Sequence, residues 1–550
     1  MNNYKDDVAS PRIDLQIFIP AMILVLGLLL PISLSPDKAG EVAGELIGII
    51  TTQFGWMYLL GGFVLFGTIL WLAFGRYGMV RLGREEDVPD YTKFGWLAMM
   101  FCAGMGSSIM NWAFIEPLYF MQGPALGIEA ASNKAAEWSV MYSFFHWGLI
   151  PYAIYLMPAL PIAYMVYVKR CNLFRISEAC VGVFGDKVYG PLGRFIDILV
   201  ILSILGGTAT TLGLSVPVLS ALFSEAFGVG DSFGLQVSVL LLWTAIFSWS
   251  VYRGLSKGIQ ILSRINTILA LVLLIIVFIT GPTLFILDLT TNSFGLLLNN
   301  FSRISLATDP IEKGGYPQAW TIFYWAWWLA YAPMVGLFVA RISKGRTVRE
   351  LILFGLTYGS LGSWIFFAVW GGYSVYAETS GVLQLSTILS ESGLPAAMVA
   401  VVTAQPMGYI FMLAFIALFL IFTATTMDSA AFVLASVSSK NLSGNEEPTR
   451  SNRVCWALVL GVAAVAMLAM GGLKAVQSSS IVLSFPMLFL MVVLMFSFMR
   501  MLKEDHGSSL APVHLVLREH EIVAVSQPGE QLAYSEEEAN TRVAMSARSM

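Results

Sequence analysis

The sequence predicts an all-α integral membrane protein with 12 transmembrane helices. Three observations predict it. The 550 residues are 57% hydrophobic and only 12% charged, with a mean hydropathy of +0.74. A soluble domain is about a quarter charged, so this chain lacks the charge to cover a soluble surface. Twelve apolar segments approach the ~20 residues that a helix needs to cross a bilayer. If those segments alternate across the membrane, 26 of the 31 Lys and Arg residues fall on one side, as the positive-inside rule requires. This composition excludes an ordinary cytosolic enzyme and a disordered chain. The net charge of −4 argues against a nucleic-acid partner.

The elements follow in order. Residues 1–14 are polar, with Lys5, Asp6, Asp7, Arg12 and Asp14, and are expected on the cytoplasmic side. The first span, 15–35, is longer than a signal-peptide core and lacks a small-residue cleavage pattern, so it is expected to be retained. The other spans are expected near 56–75, 94–121, 138–168, 195–222, 234–252, 265–288, 318–340, 350–377, 405–438, 454–472 and 478–499. An even number places both termini on the basic, cytoplasmic side. Residues 289–317 are long for a loop, and Phe294–Phe301 is apolar enough for an interfacial helix. The tail 503–550 carries four basic residues against eight acids. It reads as a weakly ordered cytoplasmic extension with strand character over His514–Val525. The four cysteines show no CxxC spacing and the four histidines no HExxH or HxH pattern. Neither a cofactor nor a transition-metal site is expected.

Four stretches break the rules for lipid-facing helices, and intramembrane polar features are functional candidates. In span three, Cys102-Ala103-Gly104-Met105-Gly106-Ser107-Ser108 places glycines and serines in mid-helix. Such a segment can unwind and free carbonyls for an ion, or simply pack closely. Glu116-Pro117 follows near the outer end, where Glu116 would pair with a loop cation or cap an outer gate. In span four, His146-Trp147-Gly148 precedes Pro151, Tyr152 and Tyr155. An interfacial aromatic belt is the bland alternative there.

Span eight carries four Trp, two Tyr and one Phe in Trp320–Tyr331. At about 100° per residue, Trp320, Tyr324, Trp327 and Tyr331 share one face, and Trp325 and Trp328 point elsewhere. Aromatic faces attract desolvated cations, methylated ammonium above all; packing is the alternative for some of them. Span ten contains Phe422-Thr423-Ala424-Thr425-Thr426-Met427-Asp428-Ser429. Hydroxyl oxygens suit a small hard cation, or bond back to their own helix.

Together these strings resemble the betaine/carnitine/choline transporter family over residues 15–500. WTIFYWAWWLAYAPMVGLFVARISKGRTVRE (Trp320–Glu350) is very similar to the family signature. TDPIEKGGYPQAW (Thr308–Trp320) is similar to the carnitine branch, and GMGSSIMNWAFIEP, FHWGLIPYAIY and TATTMDS match further family segments. The resemblance implies a leucine-transporter-like fold of two inverted five-helix repeats plus two N-terminal helices. The segments would be 1–14, peripheral helices 15–93, first repeat 94–288, interfacial 289–317, second repeat 318–502 and acidic tail 503–550. It implies a homotrimer in the inner membrane of a bacterium, surrounded by lipid.

The resemblance also implies site residues. An aromatic box would fall on Trp147, Tyr152, Tyr155 and Trp328, with Tyr331 one turn later. An outer aromatic site would use Trp320, Trp327 and Tyr119. A sodium site would use Cys102, Met105, Phe422, Thr425 and Thr426. Sodium-independent exchangers place an arginine there from span seven, where this chain has Asn266; Arg264 lies on another face. The exchangers also lack the acid found here as Asp428. A second ion site would retain Thr208, but Ile204 and Met334 replace its usual partners.

The expected function is secondary active import of a trimethylammonium compound: carnitine, glycine betaine or choline. Sodium-coupled symport by alternating access is the leading mechanism. The alternatives are a sodium-independent carnitine/betaine exchanger and a transport-shaped osmosensor. No enzyme is expected, because no nucleophile–base pair is visible.

Overall fold

The computed structural model describes residues 11–84, 86–103, 106–170, 175–253, 256–442, 447–470 and 472–507, and the backbone of 514–518, 521–525 and 532–533. The chain divides into two units, Met1–Ser497 and Phe498–Met550. Among the described residues, ten helices are long and apolar enough to cross a membrane, or eleven if a bent pair counts as one span. The protein is an integral membrane protein with an all-α membrane part.

Helix α1 (Leu15–Leu34) starts at Asp14, whose side chain accepts from Gln16 N. It is followed by α2 (Pro36–Gln53) and α3 (Gly55–Phe74). The expected third span is three short pieces: α4 (Lys93–Ala103), α5 (Ser107–Trp112) and α6 (Glu116–Gln122). Pro117, in the first turn of α6, has no N–H to lose there.

The fourth span is also broken, into α7 (Asn133–His146) and α8 (Leu149–Tyr167). Gly148 explains the break. A Cβ at that position would lie 2.4 Å from the Phe144 carbonyl oxygen and 2.9 Å from the Trp364 ring. The carbonyl that the break frees accepts from Trp364 Nε1 at 2.7 Å, so it is not left unsatisfied in the interior.

A short helix, α9 (Val181–Phe184), leads into the long α10 (Pro191–Phe227). Then come α11 (Phe233–Arg253), α12 (Ser256–Thr280) and α13 (Thr283–Ser305). The chain bends by 107° between α12 and α13, at Gly281–Pro282. The expected span 265–288 therefore ends at Thr280, and the helix expected over Phe294–Phe301 is part of the longer α13.

Helix α14 (Ile322–Ile342) opens with a π-turn over Pro317–Thr321. Helix α15 (Val348–Phe366) is entered through a Thr347/Glu350 capping box. A second π-turn, Phe367–Gly371, joins it to α16 (Gly372–Thr379). The remaining helices are α17 (Leu385–Thr403), α18 (Gly408–Val437), α19 (Arg450–Met470) and α20 (Gly472–His506).

The sequence reading assigns neither α2 nor α17. Helix α2 carries Asp37, Glu41 and Glu45, and α17 is kinked at Gly393, where φ is +81°. Neither presents one uninterrupted apolar run.

Glycines let the central helices approach closely. A Cβ on Gly207 of α10 would lie 3.0 Å from Ala330 Cβ on α14, and one on Gly336 of α14 would lie 2.7 Å from Pro158 on α8. Helix α14 is thus wedged between α8 and α10, almost wholly buried.

Basic and acidic groups clasp the ends on the side read as cytoplasmic. Strand β1 (Arg12–Ile13) pairs antiparallel with β2 (Ser439–Lys440). Arg175 binds Asp14 at 2.9 Å and donates to the Ser439 carbonyl. Neighbouring Glu178 is buried, and desolvation pushes its carboxyl up to about 8 despite the Arg175 charge. In the second unit, β3 (His514–Arg518), β4 (Glu521–Val525) and β5 (Leu532–Ala533) pair antiparallel in that order, which matches the expected strand character.

Candidate functional site

The two broken spans and α14 meet around a cluster of aromatic rings. The break after α7 leaves Trp147 outside a regular helix, at φ −119° and ψ 24°. Tyr152 and Tyr155 follow one and two turns into α8. Trp328 comes from the middle of α14. Its ring centroid lies 4.5 Å from Tyr155, 5.4 Å from Tyr152 and 5.5 Å from Trp147. The four residues of the expected box are therefore together, with Trp328 touching the other three. Trp147 and Trp328 meet at 76° and Tyr152 and Tyr155 at 89°, so the rings face different directions and form walls rather than one stack.

Several partners fix these walls. Tyr152 Oη shares a hydrogen bond with Ser363 Oγ at 3.0 Å. Phe367, from the π-turn after α15, lies 5.2 Å from Trp147. Tyr331 is buried, and its hydroxyl bonds Thr211 Oγ1 at 2.7 Å. Neither Ser363, Phe367 nor Thr211 stands out in the sequence. The spacing of Gly355, Gly359 and Gly362 along α15 is the one signal that this helix approaches the box closely.

The expected outer site is only partly assembled. Tyr119 and Trp320 lie 5.3 Å apart, and Trp112 joins them at 6.1 and 6.0 Å. Trp327 is turned inward. It stacks on Phe323 at 5.5 Å, meets Trp147 at 6.1 Å and donates to the Gly207 carbonyl at 3.3 Å. Tyr324 lies between the two groups, 6.4 Å from Trp320 and 6.2 Å from Trp327. Trp325 packs on Phe145 and His146, a core position.

Glu116 departs from expectation. Among the described residues it pairs with no loop cation, and it does not reach solvent. It is fully buried, and its Oε2 accepts from Trp147 Nε1 at 2.8 Å and Tyr324 Oη at 2.6 Å.

The ion-site residues are placed as follows. Thr425 and Thr426 both donate to the Phe422 carbonyl at 2.9 Å, the local back-bonded form. Their hydroxyl oxygens keep lone pairs for a further partner. Helix α18 packs against α5, which follows the break in the third span. Met105 and the side chain of Cys102 lie outside the described residues. Thr208 donates to the Ile204 carbonyl of its own helix. Asn266 is buried, and its Oδ1 has no partner among the described residues, whereas Arg264 is exposed. Asp428 is half-buried, within electrostatic reach of Arg453 and Glu447. Among the described residues no group of His, Cys, Asp and Glu could hold a metal ion.

The comparisons with known proteins give the family. A family model described as "BCCT, betaine/carnitine/choline family transporter" matches residues 16–507. An "Uncharacterized transporter YeaV" from Escherichia coli (strain K12) is 34% identical over 452 residues, covering 82% of this chain and 93% of that protein. A "Carnitine transporter" from Acinetobacter baumannii is 32% identical over 477 residues, 86% of each chain. The chain belongs to the betaine/carnitine/choline family of transporters, which move small molecules across membranes and are not enzymes.

Proposed function

We propose that the protein is a secondary active importer of a trimethylammonium compound, with carnitine the leading substrate and glycine betaine and choline close behind. The observation that carries this reading is the contact of Trp328 with Trp147, Tyr152 and Tyr155. A trimethylammonium group has no N–H to donate, so recognition rests on π faces and desolvation. Each aromatic contact contributes roughly 0.5–2 kcal/mol in a site shielded from water. The relative described as a carnitine transporter supports the choice of carnitine.

The same reading includes 12 spans arranged as two inverted five-helix repeats, residues 94–288 and 318–502, that alternate access around the box. The interruptions in the third span and at the start of α14 fall in the first helices of the two halves, where repeat-built carriers place their sites. The 26-to-5 distribution of basic residues supports cytoplasmic termini. A trimer in the bacterial inner membrane completes the proposal.

Sodium is the proposed coupling ion, held by the Thr425 and Thr426 hydroxyls and backbone oxygens of the broken third span. Asn266, neutral where exchangers carry arginine, supports coupling. Sodium bound there would favour the substrate-ready, outward-open state. The test is uptake of labelled carnitine into proteoliposomes with and without an inward sodium gradient. Thr426→Ala is expected to raise the sodium concentration for half-maximal uptake roughly tenfold, the loss of one hard oxygen ligand. Full uptake without sodium, stimulated by internal carnitine, would assign an exchanger instead. Unchanged sodium dependence in Thr426→Ala would place the ion elsewhere.

A further inference from the structure

Glu116 is a fully buried carboxyl group beside the box, and the residues that form the box do not account for it. It begins α6, the outermost piece of the broken third span. A buried carboxylate is costly in a membrane protein unless its oxygens are bonded. Here Oε2 takes two hydrogen bonds, from Trp147 Nε1 and Tyr324 Oη, and the Ser143 hydroxyl lies beside the same carboxyl.

The two donors belong to different groups of rings. Trp147 is a wall of the box, 5.5 Å from Trp328. Tyr324 stacks on His146 at 4.7 Å and lies 6.4 Å from Trp320 of the outer pair. His146 is tied in turn to Thr321 Oγ1 at 3.1 Å. One carboxylate oxygen therefore links α6, the break between α7 and α8, and α14.

Trp147 needs such an anchor. It caps the end of α7, where its backbone N–H bonds the Ser143 carbonyl at 3.0 Å, but that bond does not orient the side chain, and the indole has one polar atom. A hydrogen bond from the single indole N–H to a carboxyl oxygen is directional, so it selects one ring orientation. We propose that Glu116 is a positioning residue of the transport site, holding the Trp147 indole edge so that its ring stays a wall of the box against Trp328. It acts through Trp147 and does not itself contact the substrate. The inference rests on the aromatic-box reading and deepens it.

The experiment is a double-mutant cycle on the full chain in proteoliposomes with labelled carnitine, reading KM and maximal rate separately. Glu116→Ala is expected to raise KM roughly tenfold, within the range for a buried donor left unsatisfied. Glu116→Gln, which keeps an acceptor oxygen, is expected to recover most of that loss. Trp147→Phe, which keeps an aromatic wall but removes the N–H, is expected to raise KM by itself. Adding Glu116→Ala to Trp147→Phe should then change KM less than twofold.

Additive effects of the two substitutions would overturn the inference. So would a Glu116→Gln variant as impaired as Glu116→Ala. If Glu116→Ala fails to fold, Trp147→Phe alone decides the matter, because an unchanged KM would show that the N–H holds nothing. A wild-type carrier that moves neither carnitine, betaine nor choline would instead sink the substrate reading and this inference with it. Additivity in a working carrier sinks only this inference.

Discussion

Trp328→Leu is expected to reduce carnitine uptake to the background of empty vesicles, or to raise KM at least thirtyfold. Trp328 is the one ring that touches all three other walls. Leucine removes its π face and leaves a gap between α14 and α8. The lost cation contact accounts for about 2 kcal/mol in a desolvated site, and relaxation of the unsupported rings adds to it. Leucine keeps the position apolar, so the folded carrier is expected to survive in detergent with a modest fall in thermal midpoint. Uptake with a KM within threefold of wild type would remove Trp328 from the site.

The second large effect comes from a residue that has no side chain. Gly359 of α15 faces Tyr152 so closely that an added Cβ would lie 2.4 Å from both Cδ1 and Cε1 of the ring. Real Cβ atoms do not approach that near, so Gly359→Ala must shift the ring or push α15 away. Either response breaks the Tyr152–Ser363 hydrogen bond or opens the box on that side. Inserting one methyl into a packed interior costs typically 1–3 kcal/mol. A KM increase of about tenfold is expected, with the maximal rate less affected. Gly295, around which a Cβ would meet nothing within 4 Å, provides the control: Gly295→Ala is expected to transport normally. Normal transport by Gly359→Ala would show that Tyr152 is free to move and is not a fixed wall.

Much of this architecture was legible in the sequence because membrane insertion imposes simple patterns. Apolar length marks the spans, and Gly and Ser mark the interruption in the third span, whereas the break at Gly148 in the fourth lies inside what reads as one continuous span. The residues that meet in the box come from two segments separated by about 180 positions, Trp147–Tyr155 and Trp328. Their proximity was not a matter of periodicity. It came from resemblance to a family, and the structure brings the same four rings together.

The remainder was hidden for physical reasons. Helical phase placed Trp320 and Trp327 on one face, but it did not show that Trp327 turns inward to Trp147 and the Gly207 carbonyl. Glu116 reads in sequence as a partner for a loop cation or a cap on an outer gate, because acids in spans usually seek water or a cation. Its Oε2 is held by an indole and a phenol, 31 and 208 positions away. Helix α17 is interrupted in sequence by Ser390-Glu391-Ser392, just before its kink at Gly393.

The central claim is that the site recognises a quaternary cation through aromatic faces. It is tested most directly by competing labelled carnitine uptake with a neutral isostere, in which a tert-butyl carbon centre replaces the trimethylammonium nitrogen. Shape and apolar area are then nearly constant and only the charge differs. The account predicts that unlabelled carnitine competes at least tenfold more strongly than the isostere, the weight of about 1.4 kcal/mol or more of cation–π attraction. Equal competition by the neutral compound would contradict it.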